Sequence, residues 1–318
     1  MSRRALAAPA ALLLAALTLT ACGNDSGDDN SSSGSGSGAG LSSVTIEGDE
    51  GKAPEVTFDG RLEPSEVETE VVTEGEGEEI AQGDNVLTHI WIGNGFTEKQ
   101  AFTTYDAGTP ELLNVSDQLT PAILAGVEGQ ATGSRVAVVA PAKDAFGAEG
   151  NPQLGLGNGD SVLLVMDLVE KVAAEPQGEE KPVASWAPGI TEDGGTVTGF
   201  DFADAPKPGK KLRVTEAITG EGAAVKKGQT IYVNYLGQVF GGEQPFDESF
   251  STGAPVSFPI GVGQVIKGWD QALVGQSVGS RVVLAIPPAL GYGSEGNEGA
   301  GIKGTDTLYF VVDILAAV

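Results

Sequence analysis

The sequence repeats itself at the distance of one domain. Thr73-Glu-Gly-Glu-Gly-Glu-Glu-Ile-Ala-Gln-Gly83 matches Ile218-Thr-Gly-Glu-Gly-Ala-Ala-Val-Lys-Lys-Gly228, Gly133-Ser-Arg-Val136 matches Gly279-Ser-Arg-Val282, and Ala140-Pro-Ala-Lys-Asp-Ala-Phe-Gly147 matches Ile286-Pro-Pro-Ala-Leu-Gly-Tyr-Gly293. The offset stays near 145 residues, far too long for a solenoid repeat and of domain size. Such a chain is a tandem duplication, and it folds as two similar units.

The duplication does not begin at the first residue. Arg3 and Arg4 precede an apolar run from Ala5 to Ala21 that ends at Cys22. A charged start, a short apolar stretch and small residues before a cleavage point read as an export signal, too short for a comfortable membrane span. The ending resembles a bacterial lipobox, which implies a lipoprotein signal peptide over 1–22 and a lipid at Cys22 that anchors the chain to the cell membrane; a signal peptide without lipidation and an uncleaved anchor helix are the alternatives. Residues 23–43 are rich in Ser and Gly with little to bury, as expected of a flexible tether. The duplicated part then divides into a first domain over 44–172, a polar Pro- and Gly-containing linker over 173–187, and a second domain over 188–318. Each copy opens with a loose leader, 44–64 and 183–208.

Composition excludes several functions. The formal net charge of -26 repels nucleic acid and anionic headgroups, so no nucleic-acid partner is expected. One Cys and one His leave no intrachain disulfide, no expected metal site, and no basis for Ser-His-Asp or Cys-His catalysis. His89, in Leu87-Thr-His-Ile-Trp91, reads as a strand surface residue.

In the second copy the strands are clear. Ile231, Val233 and Tyr235 fall on one face of an alternating run, as do Leu308, Phe310, Val312 and Ile314; Lys211 to Thr219 and Arg281 to Ile286 add further strands. Ile266, Trp269 and Leu273 are spaced for one face of a short helix. The economical architecture is an antiparallel sheet curled against that helix, an α+β fold. Tyr235, Phe246, Asp247, Trp269, Tyr292 and Phe310 place one carboxylate in the company of many rings, more like a pocket than a plain core. Taken singly, Asp247 is a turn residue, Tyr292 a loop aromatic, and Phe258 and Val283 ordinary core.

The second copy resembles the FKBP family of peptidyl-prolyl cis-trans isomerases. The matching pieces are Val233-Asn-Tyr-Leu-Gly237, Pro245-Phe-Asp247, Gly263-Gln-Val-Ile-Lys-Gly-Trp269, Val278-Gly-Ser-Arg281, Ile286-Pro-Pro-Ala-Leu-Gly-Tyr-Gly293 and Thr307-Leu-Tyr-Phe310, in the family's order over roughly residues 210 to 318. The loop Ser294 to Asp306 departs from it. The resemblance implies two FKBP-like domains, each a curled antiparallel β-sheet packed on one short α-helix. It implies a proline pocket of Tyr235, Phe246, Asp247, Val265, Ile266, Trp269, Tyr292 and Phe310. Trp269 is its floor, the Ile266 N–H holds a substrate carbonyl, Tyr292 offers its hydroxyl, and Asp247 and Tyr235 face the twisting amide. The implied partners are proline-containing unfolded or exported polypeptides and macrolide inhibitors of the FK506 kind, with no cofactor.

In the first copy Tyr235 aligns with Trp91, Phe246 with Phe102, Asp247 with Thr103, Ile266 with Thr120, Trp269 with Ile123, Tyr292 with Phe146 and Phe310 with Leu164. Volume is kept, but the carboxylate, the indole and the loop hydroxyl go together. This copy is read as a degenerate domain without efficient isomerase activity. The rival to an isomerase is a non-catalytic protein that uses both folds to hold clients or an envelope partner.

Overall fold

A computed structural model describes residues 40–318, so the export signal, Cys22 and nearly all of the tether lie outside the described residues. The chain forms two compact units that meet in sequence between Lys171 and Val172. Both are mostly antiparallel sheet with few helices.

The first unit contains β1 (Val44–Glu47), β2 (Glu55–Phe58), β3 (Glu68–Thr73), β4 (Asn85–Asn94), β5 (Lys99–Thr103), β6 (Glu111–Asn114), α1 (Pro121–Val127), β7 (Arg135–Pro141), α2 (Ala142–Phe146) and β8 (Ser161–Val172). Its main sheet runs β3-β7-β8-β4-β5, with β6 also on β4. The second unit contains β9 (Gly178–Glu180), β10 (Gly189–Asp193), β11 (Thr196–Asp201), β12 (Arg213–Gly220), β13 (Thr230–Val239), β14 (Pro245–Glu248), β15 (Val256–Pro259), α3 (Lys267–Ala272), β16 (Arg281–Ile286) and β17 (Leu308–Ala317). Its sheet repeats the order as β12-β16-β17-β13-β14, with β15 on β13, and β9 is added beyond β12. Even the irregularities recur: the bulge after Val71 in β3 returns after Glu216 in β12.

Alternation gives each sheet two apolar faces, and both are covered. In the second unit Ile231, Val233, Tyr235, Val282, Leu284, Phe310, Val312 and Ile314 pack with Trp269 and Leu273 of the α3 segment. On the opposite face Leu236, Val283, Tyr309 and Val311 pack against Val197 and Phe200 of β11, with Trp186 and Ile190. In the first unit Trp91, Ala137, Val139, Leu163 and Val165 meet Val44, Ile46, Val56 and Phe58 in the same way.

The expected loose leaders are therefore β-hairpins, β1 on β2 and β10 on β11, each seated on the sheet face away from the helix. Their alternating apolar residues are drawn down because a sheet face rich in Val, Leu and aromatic side chains cannot stay wet. The expected linker also differs: within 173–187 lies β9, an edge strand held by β12. The first unit carries a second short helix, α2, beyond the single helix expected of it.

The repeated Gly-Ser-Arg-Val motif fixes these hairpins. Arg135 donates through Nε and Nη2 to the two oxygens of Asp167 at 2.7 and 2.8 Å, and reaches the Gly48 and Lys52 carbonyls of the β1–β2 turn at 2.8 and 2.6 Å. Gly51 N–H and Tyr105 Oη donate to Asp167 Oδ2. Arg281 makes the same fork with Asp313 at 2.6 and 2.8 Å and holds the second hairpin through Glu192 at 2.7 Å. A guanidinium suits this place because its planar fork satisfies a carboxylate and keeps donors over for carbonyls.

Candidate functional site: a ring cluster on the helix face of the second sheet

Trp269 sits in the first turn of α3, whose N-cap is Ile266. The Ile266 carbonyl accepts from the Trp269 and Asp270 amides at 3.0 and 3.3 Å, which starts the helix without a side-chain cap. The Asp270 carboxylate accepts from Gly261 N–H at 2.6 Å and Gly263 N–H at 2.8 Å. That contact ties the segment carrying Val265 and Ile266 to the helix. Sequence reading missed Asp270, because a carboxylate inside a helix pattern gives no sign that it reaches back to a loop.

Three rings surround the indole edge to face. Phe258, Tyr235 and Phe310 lie 5.2, 5.4 and 5.4 Å from Trp269, at interplanar angles of 76°, 88° and 81°. Phe246 stands on Phe310 at 5.6 Å and 86°. This crossed arrangement sets electropositive ring edges against electron-rich faces, the preferred geometry for aromatic groups. Gly237 makes it possible: a Cβ there would lie 2.6 Å from both the Phe246 and Phe310 rings.

Burial grades from floor to margin. Trp269 and Phe310 are each 4% exposed; Phe246, Phe258, Val265, Ile266 and Tyr292 are half-buried; Asp247 is exposed. Tyr235 donates to Asp247 Oδ2 at 2.8 Å. Burial, with the Asp247 hydrogen bond and charge added, pushes the Tyr235 phenol well above its ordinary range, so it remains a donor. Burial also raises Tyr292; a hydrogen bond with Asn297 acts against this, and the Asp247 charge adds to it. The indole Nε1 of Trp269 is buried without a hydrogen-bond partner.

All eight residues expected at the site thus come to one face of the second unit. Phe258, read as plain core, is half-buried against both Tyr235 and Trp269, 5.7 and 5.2 Å away, and belongs to the same cluster. Val283 lies in the opposite face's core.

The comparison with the first unit needs correction on two strands. Tyr235 N–H donates to Ser249 Oγ at 3.0 Å, and Ile90 N–H donates to Thr104 Oγ1 at 2.9 Å, so Tyr235 corresponds to Ile90 and not to Trp91. The ladders agree: Gly237 pairs with Asp247 where Ile92 pairs with Phe102. Asp247 therefore corresponds to Phe102 and Phe246 to Ala101. Trp91 matches Leu236, on the hairpin face, where its Nε1 donates to Gln100 Oε1 at 2.9 Å. A slip of one residue reverses the face of a strand. From α1 onward the alignment stands: Thr120 caps α1 as Ile266 caps α3, which sets Ile123 against Trp269.

A grouping of rings around one indole, with one phenol–carboxylate contact at its margin and no nucleophile–base pair, suits noncovalent work on an apolar segment. Among the described residues no three His, Cys, Asp or Glu side chains gather to hold a metal. Residues 221–315 match the family model described as FKBP-type peptidyl-prolyl cis-trans isomerase. The chain is 41% identical over 110 residues to an FK506-binding protein of Streptomyces anulatus, covering 35% of this chain and 89% of that one. It is 41% identical over 116 residues to FK506-binding protein 2 of Dictyostelium discoideum, covering 36% and 86%. Against FK506-binding protein 2 of Yarrowia lipolytica it is 42% identical over 118 residues, covering 36% and 81%.

Proposed function

We propose, since the chain belongs to the FKBP-type peptidyl-prolyl cis-trans isomerase family, that its second unit catalyses Xaa-Pro isomerisation in exported polypeptides and that its first unit does not. One observation carries this: the rings of Tyr235, Phe258 and Phe310 converge on Trp269 beside the Tyr235–Asp247 contact. The corresponding positions in the first unit hold Ile90, Leu113, Leu164, Ile123 and Phe102.

Rotation about Xaa-Pro must break resonance, at a cost of about 18–20 kcal/mol. The planar amide is the more charge-separated form, so an apolar wall of rings disfavours it relative to the twisted transition state. Trp269 would carry the proline ring, with Phe246, Val265 and Phe310 beside it. The Ile266 N–H would hold a substrate carbonyl, and the Tyr292 hydroxyl would bind the same segment. Tyr235 would position Asp247 against the turning carbonyl. FK506-like macrolides would occupy the same surface. Outside the cytoplasm this activity would relieve proline-limited refolding, which takes tens to hundreds of seconds unaided. Lipidation at Cys22 would keep it at the membrane.

The test is exchange of an Xaa-Pro peptide by the full chain and by Trp269→Leu. Activity lost with Trp269 supports the assignment; activity retained moves catalysis elsewhere, and a full chain without activity favours a binding protein. Membrane fractionation of Cys22→Ser tests the anchor, and unchanged attachment refutes it.

A further inference from the structure

The two main sheets agree strand for strand except at one edge. In the second unit the outer flank of β12 is occupied: β9 pairs Gly178 with Gly220, Glu179 with Thr219 and Glu180 with Ile218, and Lys181 N–H continues to the Ala217 carbonyl at 2.8 Å. In the first unit β3 holds the place of β12, and no strand among the described residues pairs with its outer flank. Burial records the difference: residues 70–74 are all exposed, whereas residues 215–219, which correspond to them, are half-buried.

The difference extends past the strand. Where β9 begins, the Gln177 carbonyl lies so close to Gly279 that a Cβ there would be 2.5 Å from it. Gly133, the counterpart of Gly279, has no such neighbour among the described residues. Next to it a cavity of about 550 Å³ opens at the end of β3, lined by Val71, Glu74, Glu79, Gln130 and Ser134 among others.

An unpaired flank presents a row of backbone donors and acceptors to any extended chain. The side chains around this one select the visitor. Glu70, Glu74, Glu76 and Glu79 are exposed. Lys171, whose Nζ reaches the Glu79 carbonyl at 3.3 Å, is already held by Asp84 at 2.7 Å and Glu78 at 3.7 Å, and Arg135, across from Thr73 on β7, is held by Asp167. An acidic strand is repelled here and a basic one attracted.

We propose that the flank of β3 left uncovered by the described residues docks an extended, lysine- or arginine-rich polypeptide segment, added antiparallel as β9 is added to β12. The residue facing Gly75 is a glycine, because a Cβ on Gly178 in the corresponding place would lie 2.0 Å from the Thr219 carbonyl. The residue before it enters the cavity beside Ser134. Docking of this kind does not depend on proline or on catalysis by the second unit.

The test titrates the full-length protein with the capped, proline-free peptide Gln-Gly-Lys-Lys-Lys-Lys and its glutamate counterpart, followed by calorimetry and amide NMR. The lysine peptide is expected to bind, to shift amides 70–75 and protect those that do not already donate to β7 or Ser134, and to exceed the glutamate peptide by about tenfold or more at low salt. The double variant Glu70→Lys/Glu74→Lys, both exposed positions, should weaken binding about tenfold without moving the unfolding transition. Failure of the lysine peptide to bind, equal binding of both peptides, or shifts confined to the second unit overturns the proposal. So does protection, in the free protein, of those amides among residues 70–74 that do not pair with β7, because the flank would then already be occupied.

Discussion

Tyr235 and Asp247 are joined across the β13–β14 ladder by a hydrogen bond of 2.8 Å, with the phenol buried and the carboxylate exposed. The buried partner fixes the orientation of the exposed one. Tyr235→Phe should lower kcat/KM for an Xaa-Pro peptide, and Asp247→Ala should lower it further, about tenfold, as expected for loss of one charged hydrogen bond. Because the phenol stays protonated far into the alkaline range, the wild-type rate should show no Tyr235 titration between pH 6 and 9, readable in a pH profile.

Trp269 separates activity from stability. Its Nε1 has no partner, so Trp269→Phe loses no hydrogen bond and removes a buried polar group, which offsets part of the volume lost. The expected change in unfolding free energy is within about 2 kcal/mol, while catalysis falls severalfold. Denaturant melts and exchange rates on the same sample check both.

Asp167 and Asp313 should behave differently when truncated. Arg135 is fully buried and Asp167 is 3% exposed, so Asp167→Ala strands a charge and should cost about 3–5 kcal/mol. Arg281 keeps Glu192 as a second partner and some solvent, so Asp313→Ala should cost less. Arg135→Met with Asp167→Leu, which removes both charges, should recover much of the first loss, measurable in a double-mutant cycle.

The single imidazole gives a pH-dependent reporter. Burial lowers the pKa of His89 from its ordinary 6.5, with the Asp167 charge pulling the other way, and its ring stacks on Tyr105 at 4.5 Å. The unfolded chain then takes up the proton more readily than the folded one. The contribution to stability is complete above about pH 6.5 and is lost as pH falls through the folded value, ahead of most carboxylates. His89→Asn, the residue found at the matching Asn234, should flatten the melting temperature between pH 7 and 5.5. Titration of the ring proton by NMR measures the shift directly.

Much of this architecture can be read in the sequence. The repeat sets two units, and alternation assigns Tyr235, Phe310 and their neighbours to the helix face. Besides α2 and the reach of Asp270, three things could not be read. Aligning Trp91 with Tyr235 matched ring to ring, but the ladder matches Ile90, since local similarity is blind to a shift of one residue where strands alternate. The hairpin strands are only four to six residues long between Gly, Asp and Pro, so their alternation was lost among turn signals. Gly178-Glu-Glu180 has no apolar residue at all; it is a strand solely because β12 offers it a backbone.

The hairpin seated behind each sheet has a practical result for anyone trimming the gene. The stretch that matches the family, 221–315, omits β10 and β11. A fragment cut to those limits would bare Leu236, Val283, Tyr309 and Val311 as one greasy wall and would precipitate or pair with itself. A piece that keeps this face covered has to start ahead of Trp186.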